Sequence, residues 1–203
     1  MGFYEDRVLP RAIDLMLGNK AMGKLRDRAL AGLWGEVVEI GFGSGTNIGH
    51  YPAAVTKIVA VDPSGGGRRI AEKRIAASTI PIEFIGLNGE SLPLEDDSVD
   101  NALSTWTLCT IPNVEAALSE IRRVVRPGGG LWFIEHGISP NAGVSRRQHR
   151  FEPLQKRIAG GCHLTRQHEH LLADAGFELE LISQFDIAGP KISSHMFSGI
   201  ARV

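Results

Sequence analysis

Short apolar runs alternate with amphipathic stretches along most of the chain. The runs Lys57–Val61, Pro81–Ile85, Val99–Ser104 and Leu131–Ile134 have the length and the branched residues of buried strands. Between the last two, a stretch beginning near Pro112 has apolar residues at helical spacing. Regular alternation of strands and helices predicts an α/β fold in which a parallel, doubly wound sheet binds its ligand at the carboxyl ends of the strands.

The two ends of the chain depart from this alternation. Residues 3–32 predict two helices that precede the first strand. Phe177–Ile187 and His195–Val203 both read as strands, and the seven residues between them are too few for a crossover helix. We therefore expect a terminal antiparallel hairpin and a mostly parallel seven-stranded sheet in a single domain, residues 1–203, with residues 1–35 as its N-terminal helical part.

The first strand leads into a glycine-rich turn. Three glycines at alternate positions follow Ile40: Gly41, Gly43 and Gly45. A dinucleotide fingerprint needs its third glycine three positions after the second, and Thr46 or Ile48 stands there instead. Glu39 would also repel a pyrophosphate. A cationic ligand without phosphate, such as S-adenosylmethionine, fits this turn better, although the glycines could also serve the turn alone.

Polar residues follow the second and third predicted strands. Asp62 precedes Pro63 and lies 21 positions after Gly41, the separation at which an acid binds ribose hydroxyls in nucleotide folds. Asp-Pro-Ser is also typical of a helix N-terminus, so capping is the alternative. Asn88 follows the third strand and could hydrogen-bond the amino edge of a purine.

Composition limits the classes of function. The chain has 203 residues, a net charge of −1 and 43% hydrophobic residues, which suits a globular enzyme and not a nucleic-acid-binding protein. No signal peptide or apolar run of bilayer length is apparent. Cys109 and Cys162 show neither metal-type nor redox spacing, so we expect free thiols, no metal and a cytoplasmic location.

Residues 136–170 interrupt the strand–helix alternation. This segment is rich in arginine and lysine and contains five histidines: His136, His149, His163, His168 and His170. Its charge predicts a cap over a polar or anionic acceptor, contact with a membrane surface, or simply a solvated helix face. We expect Thr165 to cap a helix that ends near Gly176.

The ordered motifs resemble those of class I S-adenosylmethionine-dependent methyltransferases, in particular the methyltransferase type 11 group. They are Glu39-x-Gly-x-Gly-x-Gly45, Val61-Asp62-Pro63, Asn88-Gly89-Glu90-x-Leu-Pro93, Ser98-Val99-Asp100 and Arg126-Pro127-Gly128-Gly129. This resemblance implies a Rossmann-like fold and S-adenosyl-L-methionine as cofactor. The implied or candidate cofactor-binding residues are Tyr4, Glu39, Gly41, Gly43, Gly45, Asp62, Pro63, Asn88, Gly89, Glu90 and Thr105.

Three further stretches resemble the thiol-methylating branch of the methyltransferase-like proteins. They are Trp106–Ile111, Glu135-His136 and Gly161–Arg166. That branch is commonly anchored in membranes by an apolar N-terminal segment, which this sequence lacks. The resemblance implies a small-molecule acceptor, with a thiol as first choice. Amines, phospholipid head groups and quinones remain alternative acceptors.

His136 is the candidate catalytic residue. It follows the fifth strand, where an imidazole could deprotonate or orient an acceptor thiol; a purely structural role is the alternative. Two functions of other classes also stay open, a nicotinamide oxidoreductase and a non-catalytic module that binds the cofactor. The sequence leaves the oligomeric state undetermined.

Overall fold

The computed structural model describes residues 2–86 and 88–203 and shows a seven-stranded sheet flanked by helices. The strands are β1 Gly35–Ile40, β2 Val55–Val61, β3 Ile82–Gly86, β4 Asn101–Thr105, β5 Gly130–His136, β6 Glu178–Asp186 and β7 His195–Arg202. The helices are α1 Leu9–Leu17, α2 Lys20–Ala29, α3 Gly65–Ala76, α4 Val114–Val124, α5 Ala142–Ile158 and α6 His168–Asp174. A π-helical turn, Tyr4–Val8, leads into α1, and a 3-10 turn spans Ile48–His50.

The strand order confirms the predicted fold class. It is β3-β2-β1-β4-β5-β7-β6, in which β1 to β5 are parallel and β7 runs antiparallel to both β5 and β6. The order reverses between β1 and β4, so a crevice opens at their carboxyl ends. The terminal hairpin predicted from its short join is confirmed.

Each face of the sheet is covered by its own apolar core, because successive residues of a strand point to opposite faces. Val37 packs with Leu30 and Leu33, beside α2. Its neighbour Val38 belongs to the other cluster, which includes Leu118 and Ile121 of α4. Burial on both faces explains why these strands read as continuous apolar runs.

Three local expectations are wrong. The sequence after the glycine-rich turn predicts a helix, but the structure has only a 3-10 turn there, and the side chain of Asn47 at its start is held by long-range contacts. The sequence predicts that Gly65, Gly66 and Gly67 form a loop before the next helix, but they are the first turn of α3, which is capped by Ser64. Thr165 bonds Glu152 and not the start of α6, whose N-cap residue is Gln167.

The segment 136–170 runs from the end of β5 through α5 to the first residues of α6. Asn141 caps α5 by accepting from the backbone N–H groups of Gly143 and Val144, and Pro153 lies inside the helix. Among the residues that the structure describes, no helix has the length and apolar content to cross a bilayer.

Candidate functional site

A cavity of about 500 Å³ opens at the carboxyl ends of β1, β2 and β4. Its volume is in the range of small-molecule sites. Its floor comes from the turn after β1 and from the ends of β2 and β4, and α1 and residues 159–161 line its other side. The predicted site residues that line it are Gly41, Gly43, Asp62, Pro63, Asn88, Gly89, Glu90 and Thr105.

The glycine turn needs its glycines for both conformation and space. Gly41 has φ of +80°, and a Cβ there would lie 1.9 Å from Oγ1 of Thr107. Gly43 has φ of +54°, and its backbone N–H donates to Oδ2 of Asp62 at 2.7 Å. A side chain at Gly41 would collide with the loop after β4, so the turn can lie this close only without Cβ atoms.

Asp62 is held at the mouth of β2 by backbone donors. Its Oδ1 accepts from the N–H of Ser64 at 2.6 Å, and its other oxygen accepts from Gly43. Burial raises the pKa of this carboxyl, and the two backbone bonds oppose that rise. Each oxygen retains accepting capacity on the cavity side, so a ligand hydroxyl could bind here.

Glu39 lies below the cavity floor and does not line it. Tyr51 donates to Oε2 of Glu39 at 2.5 Å and Asn47 donates to Oε1 at 2.7 Å. Asn47 reaches the cavity and also donates to Oγ1 of Thr105, while Nε of Arg26 donates to Oδ1 of Asn47. Complete burial raises the pKa of Glu39 to about 7, so this carboxyl changes charge near neutral pH.

Asn88 and Glu90 shape the rim beside β3. Oδ1 of Asn88 accepts from the N–H of Glu90 at 2.9 Å, as in an Asx turn. Glu90 in turn accepts from the N–H of Asn113 at the start of α4. Asn88 is exposed and lines the cavity, so its side-chain amide can contact a ligand there.

Besides Glu39, three predicted site residues lie outside this cavity lining. Gly45, with φ of +72°, faces a second cavity of about 460 Å³ behind the turn. Tyr4 donates its hydroxyl to the carbonyl oxygen of Ile158 at 2.6 Å, and this bond ties the N-terminal turn to the end of α5. His136 is buried at the end of β5.

His136 lies within a buried cluster with both cysteines. Its Nε2 is 2.6 Å from Sγ of Cys162, and the two Sγ atoms of Cys162 and Cys109 are 3.9 Å apart. Hydrogen bonding with Cys109 and the nearby His136 lower the pKa of Cys162 to about 4 despite its burial. Burial opposes protonation of His136, but the contact with Cys162 outweighs it and raises the histidine pKa.

Two residues without a predicted role organise the loop after β4. Trp106 lines the cavity with φ of +52°, an uncommon conformation for a bulky residue, and its indole N–H is buried without a described partner. Glu135 accepts from the backbone N–H groups of Thr107 and Leu108, both at 2.9 Å. Nothing in the sequence shows this strain or these bonds, because both depend on β4 and β5 being adjacent.

The sequence matches known families and proteins. Residues 38–133 match the methyltransferase domain family. Thiol S-methyltransferase TMT1B of Homo sapiens is 35% identical over 156 residues, which cover 74% of this chain and 64% of that protein. The rat protein of the same name is 36% identical over 64% of this chain and 55% of its own length. The chain therefore spans less than two thirds of the length of these relatives.

More distant proteins are similar as well. Demethylmenaquinone methyltransferase of Clavibacter sepedonicus is 29% identical over 62% of this chain and 52% of its own length. A SAM-dependent methyltransferase of Thermotoga maritima superposes with a TM-score of 0.68, covering 98% of this chain and 97% of that one at 22% identity. The [4+2]-cyclase SpnF superposes with a TM-score of 0.71 at 18% identity, covering 90% of this chain and 81% of its own. These two structures show the fold alone.

Proposed function

We propose that this chain, whose residues 38–133 match the methyltransferase domain family, transfers a methyl group from S-adenosylmethionine to a small-molecule thiol. The cavity that joins the glycine turn, Asp62 and the rim at Asn88 is the observation that carries this proposal. Similarity to thiol S-methyltransferases supports the choice of acceptor.

The residues present fit S-adenosylmethionine. Gly41 and Gly43 leave a backbone surface without Cβ atoms, against which an amino-acid tail can lie. Asp62 retains accepting capacity for ribose hydroxyls, and Asn88 offers its amide to a purine edge. The carboxylate of Glu39 would favour the positive charge of S-adenosylmethionine from below the cavity floor, and hydrogen bonds through Asn47 connect it to Thr105 in the cavity lining. Tyr4 and Gly45 would contribute without touching the ligand: Tyr4 would hold the cavity wall in place, and Gly45 would hold the glycine turn.

Bound S-adenosylmethionine supplies a methyl group that is already activated on a sulfonium. The protein then has to align the acceptor, exclude water and favour the thiolate form of the acceptor. The pKa of a free cysteine thiol is about 8.5. Thr105, Trp106 and residues 159–161 line the part of the cavity near the loop after β4, where the acceptor would lie. In this proposal, residues 136–170 form the cap over that end.

His136 is proposed to act on the acceptor end through Cys162. Its contact with Cys162 fixes the turn whose preceding residues, Gly160 and Gly161, line the cavity. This makes His136 a positioning residue, while its role as general base stays a prediction.

His136→Gln tests the two roles. If His136 positions the acceptor end of the cavity, the variant should raise the KM for the thiol more than it lowers kcat. If His136 is a general base instead, the variant should lose the increase in rate that the parent shows as pH rises through the pKa of the base.

An acceptor panel tests the function. Purified, reduced protein is incubated with methyl-labelled S-adenosylmethionine and a set of alkyl thiols, aryl thiols, amines, phenols and quinones. We expect labelled thioether from alkyl thiols and little label elsewhere. Labelled quinone product would instead favour the chemistry of the demethylmenaquinone relatives, and binding without transfer to any acceptor would contradict an enzymatic function.

Cofactor identity is tested separately by thermal shift. S-adenosylhomocysteine should raise Tm, whereas NADH should not, because the turn lacks the third glycine of a dinucleotide site. A shift with NADH alone would overturn the assignment of the cavity.

A further inference from the structure

We propose that Cys109, His136 and Cys162 form a binding site for a thiophilic divalent cation, of which Zn²⁺ is the representative. The ligand atoms of these three buried residues all lie within 4.8 Å of one another. They come from three separate elements: the loop after β4, the end of β5 and the loop after α5. The methyl-transfer proposal uses the contact between His136 and Cys162, but it requires no ion and gives Cys109 no role.

The spacing of the sulfur atoms suits a common ion. Two thiolates at about 2.3 Å from a tetrahedral Zn²⁺ are about 3.8 Å apart, and the Sγ atoms of Cys109 and Cys162 are 3.9 Å apart. A thiolate and an imidazole nitrogen on the same ion are about 3.5 Å apart, whereas Nε2 of His136 is 2.6 Å from Cys162. One small movement of the His136 ring away from Cys162 would complete the three-ligand geometry.

The backbone holds the two cysteine loops together before any ion binds. The N–H of His163, next to Cys162, donates to the carbonyl oxygen of Cys109 at 2.8 Å. Glu135 fixes the Cys109 loop by accepting from its backbone N–H groups. Gln155 lies 3.7 Å from the sulfur of Cys162 and can donate to it. Preformed ligands with outer-shell donors are what a metal site needs.

The local charges favour a divalent cation. Two thiolates and a neutral imidazole would balance a charge of +2, and the nearby Glu135 and Arg166 offset each other. Nε2 of His136 is the ring nitrogen that faces Cys162, and it would be the ligand atom.

The ligand set also indicates the class of ion and its surroundings. Two sulfurs and one imidazole select zinc-like cations over magnesium or calcium, which prefer oxygen. Three protein ligands leave a fourth position open to water or to a further ligand. Thr110 and Gly161, the neighbours of the two cysteines in sequence, line the large cavity, so the ion would lie beside its acceptor end.

Metal titration tests the proposal. The chain of 203 residues, with both thiols reduced and metal removed by a chelator, is mixed with Zn²⁺ in competition with a chromophoric chelator. We expect one equivalent of Zn²⁺ per chain, and Co²⁺ in its place should give a thiolate-to-cobalt charge-transfer band. Cys109→Ser and Cys162→Ser each remove one thiolate, so each should weaken that band and weaken Zn²⁺ binding at least about 100-fold, and Gln155→Leu should weaken Zn²⁺ binding about 10-fold.

His163→Gln is the matched control, because His163 adjoins Cys162 but lies outside the cluster and is partly exposed. This variant should bind Zn²⁺ like the parent. A thermal shift with S-adenosylhomocysteine shows that each serine variant is folded, and it separates this proposal from the proposed function. Absence of stoichiometric binding, binding that survives both serine substitutions, or equal loss in His163→Gln would overturn the site.

Discussion

Asp62 is the residue whose contacts join the end of β2 to the glycine turn. Its carboxylate accepts from the backbone of Gly43 and Ser64. Asp62→Ala should therefore remove both bonds, weaken S-adenosylhomocysteine binding by about 10- to 100-fold and lower the free energy of unfolding by about 2 kcal/mol. Isothermal titration and urea unfolding measure the two effects.

Asp100→Ala separates these two effects. Asp100 also accepts from a backbone N–H, that of Glu36, but it lies outside the cavity lining. This control should lose stability and keep its ligand affinity. If Asp62→Ala lost stability but bound S-adenosylhomocysteine like the parent, the ribose assignment would be wrong.

Ionisation of Glu39 should make both folding stability and ligand binding depend on pH. Its pKa is raised from 4.5 to about 7, so between these values the folded protein keeps a proton that the unfolded chain has lost. Folding stability should therefore decrease as pH rises through this window, by up to about 3 kcal/mol. A bound cation favours the ionised form, so S-adenosylmethionine affinity should rise with pH up to about 7, by at most tenfold per unit.

Calorimetric titration with S-adenosylmethionine from pH 5.5 to 7.5, a range that includes the Glu39 pKa of about 7, measures this change in affinity. In Glu39→Gln both slopes should flatten. An S-adenosylmethionine affinity that is independent of pH in the parent protein would show that this carboxyl does not sense the ligand charge.

At the scale of elements, the start of α3 depends on how closely its glycines approach other backbone. A Cβ on Gly66 would lie 2.0 Å from the carbonyl oxygen of Asp6 and 2.9 Å from Cγ of Pro10. Gly66→Ala should therefore push the N-terminal helical segment away from α3. We expect a loss of about 1–3 kcal/mol of stability and weaker S-adenosylhomocysteine binding.

Gly65→Ala is the matched control for the same helix turn. A Cβ on Gly65 would meet only side-chain atoms, at 3.6 Å and beyond. The better helix propensity of alanine should leave the protein unchanged or up to about 1 kcal/mol more stable. Thermal unfolding with and without ligand compares the pair, and equal behaviour of the two variants would refute the close-approach explanation.

At the scale of the whole molecule, one side of the cavity is formed by two segments that are distant in the chain. Tyr4 bonds the carbonyl oxygen of Ile158, 154 positions away, and a Cβ on Gly160 would meet Leu9 of α1. Tyr4→Phe removes one exposed hydrogen bond, worth about 0.5–1.5 kcal/mol. Ligand dissociation should accelerate up to about tenfold with little change in Tm.

Stopped-flow displacement of a fluorescent S-adenosylhomocysteine analogue measures this release rate. Phe3→Leu is the control, because Phe3 is adjacent and 76% exposed. An unchanged release rate in Tyr4→Phe would mean that the bond does not help to close the cavity.

The amino-acid pattern alone determined the order of the strands along the chain, their mostly parallel sheet, the terminal hairpin and the cavity's location. These features follow from local rules: period-2 and period-3.6 burial, the length of a join and the freedom of glycine at Gly41. The polar residues at the ends of parallel strands, such as Asp62 and Asn88, could therefore be placed together before any coordinates.

Only the tertiary structure decided what lies between elements that are distant in sequence. Arg26 and Glu39 hold the side chain of Asn47 at the 3-10 turn Ile48–His50, and the backbone of Asp6 lies against Gly66 in the first turn of α3. The cluster of Cys109, His136 and Cys162 has no sequence spacing that reveals it. Such contacts depend on which strands become neighbours, which no short window of the chain contains.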